Sequence, residues 1–161
     1  MRIRVDYHQF YVVRPGETEA LTVAVKITGG LVRASGRSLA VQCGIALGYV
    51  NVSVDVLATE PAEIAPGWEA VVDVPLQVAD MCWLLGGDFS TELPLIEQPG
   101  LFQVRVHASG RGAEWDLVND DSQESYLLQM WPSDAPRTHI HLLDPTGRDI
   151  LAAESGTPPK P

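Results

Sequence analysis

Between Ala46 and Leu57 apolar and polar residues alternate: Val50, Val52, Val54 and Val56 occupy every second position, with Tyr49, Asn51, Ser53 and Asp55 between them. Successive side chains of a β-strand point to opposite faces, so the pattern predicts a strand with one apolar and one wet face. The valine face needs a second layer, and the rest of the chain supplies matching strands. Ile3, Val5 and Tyr7 alternate with Arg4 and Asp6, in a run that continues or kinks through His8 to Val13. Leu21, Val23, Val25 and Ile27 predict a strand ended by Gly29-Gly30, followed by a hairpin of residues 31–34 and 39–43 around Ser35-Gly36-Arg37. Val72, Val74, Leu76 and Val78 predict another, and Pro75, which has no N–H to donate, puts it at an edge or a bulge. Residues 81–97 read equally as two short strands or as a loop. Phe102, Val104, Val106 and Ala108 define a late strand, and Tyr126, Leu128 and Met130 define its successor. A short piece at 138–142 and one or two helical turns at 149–154 follow.

Strands spaced by turn residues, with few or no helices, predict an all-β fold, an antiparallel β-sandwich of two sheets. Residues 1–143 are expected to form the sandwich domain, and residues 144–161 a partly flexible C-terminal extension. A chain of 161 residues, 45% hydrophobic and 20% charged, is globular and long enough to bury a core without metal or disulfide staples. Cys43 and Cys82 are expected to be free, buried thiols.

Charge narrows the partners. A net charge of −10 argues against nucleic acid or an anionic membrane as target. Between Arg37 and Arg105 there is no lysine or arginine, while Asp55, Glu60, Glu63, Glu69, Asp73, Asp80, Asp88, Glu92 and Glu97 are present. Such a field steers a basic partner. Charges at Arg2, Arg4 and Asp6 stand where a signal peptide needs its apolar run, and a cytoplasmic location is expected.

Candidate chemistry is sparse. His139 and His141 would share one side of a strand, with Asp144 following, as metal ligands can. No Cys-x-x-Cys or His-Glu-x-x-His accompanies them, and neither a metal nor a cofactor is assigned. Glu114, Asp116, Asp120, Asp121 and Glu124 form an acidic loop, either solvated or a docking surface for a basic partner. If residues 101–109 and 124–131 pair across it, Arg105, His107, Gln129 and Trp131 fall on one side of the sheet. That patch is either partner-binding or covered by a terminal segment. As an alternative, Trp131, Tyr49 or Trp68 could serve a small-ligand or carbohydrate-binding module as an aromatic platform.

Tyr7, Gln9 and Phe10, the run from Pro99 to Arg111 and the run from Glu124 to Pro132 resemble a widespread family of uncharacterised bacterial proteins. More distantly, Tyr7-His8-Gln9-Phe10 with the strand Gly100 to Val106 resembles the inhibitors of the DNA-entry nuclease of bacterial competence. The resemblance implies a small acidic cytoplasmic protein that binds and blocks a nuclease or toxin, as an immunity protein does. By alternation alone, Tyr7, Phe102, Val104 and Tyr126 are inward-facing packing residues. The expectation carried forward is a non-enzymatic acidic protein that occludes a basic protein partner.

Overall fold

The valine run becomes the ten-residue strand Leu47–Val56, sixth of thirteen strands in a computed structural model that describes residues 1–14, 25–89 and 92–156. In chain order the strands are β1 (Arg2–Asp6), β2 (Gln9–Val13), β3 (Ile27–Thr28), β4 (Val32–Ala34), β5 (Leu39–Gln42), β6 (Leu47–Val56), β7 (Ala70–Val78), β8 (Cys82–Leu85), β9 (Glu92–Ile96), β10 (Gly100–Ser109), β11 (Val118–Asn119), β12 (Ser125–Pro132) and β13 (His139–Leu142). Among the described residues one helix, α1 (Pro145–Glu154), follows. The Leu21-led strand and the last five residues of the tail lie wholly or mostly outside the described residues.

Two separate sheets are not formed. The strands make one continuous sheet in the order β13-β7-β10-β12-β6-β1-β2-β5-β4-β3, with the β8–β9 hairpin branching from β2. This sheet curls into a nearly closed barrel: the turn at Gly36 accepts a hydrogen bond from Gln77 N at 2.7 Å, and β4 packs against β7. Alternation specifies which face of a strand is buried. It does not say whether the opposing layer is another sheet or the same sheet curled back. Nor is the sheet wholly antiparallel, because β12 runs parallel to β6, with Ser125 opposite Asn51 and Met130 opposite Val56.

Other expectations resolve simply. The opening run kinks, with Tyr7 and His8 forming the tight turn between β1 and β2. Residues 82–85 and 92–96 are two short strands. Pro75 lies past the end of β13, where β7 has lost its neighbour on that side. Val50 and Val52 are buried, but Val56 is exposed where β6 runs beyond the core.

One apolar core fills the barrel, from Ile3, Phe10 and Val12 through Val50, Val72 and Val104 to Tyr126, Leu128 and Met130. The segment after residue 143 is anchored at its first residues. Asp144 caps α1 by accepting from Gly147 N, and the fully buried Arg111 holds the same carboxylate through Nε at 3.0 Å and Nη2 at 2.6 Å. Gly147 and Gly30 touch backbone to backbone, and a Cβ on Gly30 would sit 2.4 Å from the Gly147 carbonyl oxygen.

Candidate functional site

Two constellations hold the residues singled out from the sequence. The first lies on the outer face of β7, β10 and β12. The expected pairing of β10 with β12 is present, placing Arg105 opposite Gln129, His107 opposite Leu127 and Gln103 opposite Trp131. In-register neighbours extend the row from Asp55 through Gln129, Arg105 and Asp73 to His139. Arg105, His107, Gln129 and Trp131 therefore do share a face.

That face is covered. Arg105 and Trp131 are each 3% exposed and His107 is fully buried. Arg105 donates from Nε and Nη2 to Asp73 at 2.8 and 3.0 Å, reaches Glu60 at 3.3 Å, and lies 5.1 Å from the Trp131 ring centre. His141 Nε2 meets the second Asp73 oxygen at 2.9 Å. Burial alone would raise the Asp73 carboxyl, but Arg105 and His141 together hold it below its ordinary value. His107 is held neutral by burial; its Nδ1 donates to the Leu127 carbonyl at 3.1 Å and its ring packs against Trp68. The segment around Arg137 closes over Gln103, whose amide group makes hydrogen bonds to its N–H and carbonyl. This cluster fastens the sheet's outer layer. Asp73 ties up His141, and among the described residues no group of three or more His, Cys, Asp or Glu is placed to hold a metal ion. Tyr49 likewise lies beneath Arg2 and Arg4.

The second constellation is the barrel end formed by the β1–β2 turn, residues 43–46, residues 86–89 and the acidic loop. Here backbone meets backbone. Cys43 N donates to His8 O, His8 N to Ala46 O, Ala46 N to Leu117 O and Asp116 N to Gly44 O, all within 2.6–3.1 Å. His8 is the hub: its ring stacks on Trp115 at 5.2 Å, and its nitrogens face Gly44 O and Asp116 Oδ1, each at 3.0 Å. Tyr7, His8 and Asp116 have φ of 48, 64 and 61°, left-handed conformations that cost energy in residues with a Cβ.

Beneath them sits Glu124. Expected among exposed acids, it is buried and accepts from Gly44 N at 2.9 Å, Ile45 N at 2.7 Å and the Tyr126 hydroxyl at 2.6 Å. Burial pushes its carboxyl above the ordinary value despite those donors. Asp116, Asp120 and Asp121 are exposed, and Glu114 is half-buried. Arg2 and Arg4 reach Asp121 and Asp120.

This end also carries apolar groups in water. Tyr7, expected to face inward, is 82% exposed, because the turn it occupies ends the alternation of β1. Trp115, Leu117, Val118 at 70% and Phe89 are exposed near it. Alternation does not single out Trp115 or its neighbours, although Trp115, Leu117 and Val118 are apolar within an otherwise acidic stretch.

A solved structure shares this fold. ComJ, inhibitor of the DNA degrading activity of NucA, from Bacillus subtilis, aligns over 83% of this chain and 94% of its own, with a TM-score of 0.56 and 16% identity. The chain resembles ComJ distantly, and at that identity the likeness is one of fold. No protein-family model and no curated protein matches the chain.

Proposed function

We propose that this protein is a non-enzymatic cytoplasmic inhibitor that occludes a basic protein partner, a nuclease, with the barrel end built around His8. One observation carries the reading: the exposed apolar side chains of Tyr7, Trp115, Leu117 and Val118, with the carboxylates of Asp116, Asp120 and Asp121, stand on adjoining loops locked by backbone hydrogen bonds and left-handed residues. Large apolar side chains in water mark interaction sites, aromatic ones dominate binding energy, and a carboxylate rim steers a cationic surface toward them. Nuclease surfaces that bind phosphate are cationic. The fold shared with a nuclease inhibitor supports the same reading.

In this reading Asp116, Asp120 and Asp121, with Glu114, meet the partner. Glu124 holds the loop from below. Arg105, His107, Gln129 and Trp131 stiffen the sheet and do not touch it. The test is protection of plasmid DNA by the purified chain against NucA and against the DNA-degrading activity of the host's own extract. Protection that rises with inhibitor concentration, weakens with salt and is lost in Tyr7→Ser/Trp115→Ala is expected. No protection from either source at large molar excess overturns the reading.

A further inference from the structure

Between α1 and the loop carrying Trp115 lies a groove of about 750 Å³, a size that suits bound side chains and small ligands. Its walls are fixed on both sides. One end of α1 is tied by the buried Arg111–Asp144 pair and the Gly30–Gly147 contact, and the other by the ion pair of Arg33 with Glu154. Opposite, Trp115 is held by its stack on His8.

The lining has a definite chemistry. Trp115, Pro145, Ile150 and Ala153 make it apolar. Glu154 neutralises Arg33, whereas Asp149, exposed at the groove, pairs with no cation among the described residues. The groove therefore carries net negative charge. An apolar trough with an indole wall and one uncompensated carboxylate complements a side chain with an aliphatic stem and a cationic head.

We propose that this groove receives an arginine-bearing segment of the protein partner, the stem against Trp115 and Ile150 and the guanidinium toward Asp149. The inference rests on the barrel end being the partner interface, since Trp115 belongs to both. It adds a specificity pocket beside the exposed apolar side chains and the carboxylates that rim them.

The experiment is an NMR titration of the ¹⁵N-labelled full chain with the peptide acetyl-Ala-Arg-Ala-amide and with its norleucine counterpart. Shifts at Gly112, Ile150, Ala153 and the Trp115 indole N–H should saturate at millimolar arginine peptide. The norleucine peptide should bind about fivefold more weakly or worse, and Asp149→Asn should lower arginine affinity by a similar factor. Equal binding of the two peptides, or shifts confined to other surfaces, overturns the proposal. Binding that appears only after removal of residues 157–161 overturns it as well, because the groove would then belong to the chain's own end. The two readings fail separately. Absence of DNA protection leaves the titration standing, whereas protection unaffected by Asp149→Asn with no arginine binding removes the groove and keeps the inhibitor.

Discussion

Replacing Glu124 with alanine removes the acceptor shared by Gly44 N, Ile45 N and the Tyr126 hydroxyl. A buried donor left without a partner costs about 1–3 kcal/mol, so three such donors set a gross loss of roughly 3–9 kcal/mol. Relief from burying the carboxylate offsets part of this, as does water entering the space left behind, and a net destabilisation of about 2–4 kcal/mol at pH 7 is expected. Urea denaturation measures it. Tyr126→Phe should cost about 1 kcal/mol in the parent and almost nothing in Glu124→Ala, giving a coupling that a double-mutant cycle reads directly. Hydrogen exchange at Gly44 and Ile45 should accelerate more than exchange in β10. The pH dependence follows from the raised carboxyl: between its ordinary value of 4.5 and its higher native one, the folded state holds the extra proton, so this group's contribution to stability falls as pH rises. Glu124→Gln should abolish that slope. A loss below about 1 kcal/mol, with unchanged exchange at Gly44, would refute the role assigned to this carboxylate.

Asp73→Asn should cost about 3 kcal/mol by leaving the buried Arg105 with the exposed Glu60 as its one remaining ion-pair partner among the described residues, while Asp73→Leu/Arg105→Met should recover most of it, as thermal unfolding of the three proteins would show. Because the Asp73 carboxyl is depressed below 3.8, its contribution is fully present above that pH and lost as pH falls through the native value; acid titration of Asp73→Asn should lack this component. Gly48→Ala should be severe, at least about 2 kcal/mol, since its φ is 135° and a Cβ would lie 1.9 Å from Asn119 O. Gly36→Ala, with φ of 88° but open space, should show only backbone strain of about 1–2 kcal/mol. Cys43 and Cys82 should stay unreactive toward a thiol reagent at pH 8 until the protein unfolds, since burial pushes Cys43 well up and Cys82 to about 11.

Most strands were legible because period-two alternation is a local property. Val72 to Val78 and Phe102 to Ala108 show their inward faces in the sequence alone. The β10–β12 pairing was legible too, as neighbours across one loop. Closure of the sheet and the parallel β6–β12 contact were not, because they depend on strand order, to which alternation is blind. At the site, Glu124 shares the parity of the inward-facing Tyr126, Leu128 and Met130, so one more step of the same pattern would have put it inside. Its neighbours in an acidic stretch obscured this. Alternation puts Arg105 and Trp131 on the right face, but covering segments distant in sequence decide whether such a face is wet or dry. Tyr7 shows the converse: alternation gives no warning of a left-handed turn.

The parallel seating of β12 between β6 and β10 bears on how the chain reaches this state. As the ribosome delivers the polypeptide, β6 is available early, yet the neighbour that completes its hydrogen bonding emerges only after some seventy further residues. Until then β6 has one unpaired edge and β10 another, each able to recruit a wrong strand or a second molecule. Pairing so remote in sequence closes slowly. The barrel should therefore be unable to complete itself before most of the chain has been made, and the nascent protein depends for that interval on the charged residues beside its open edges.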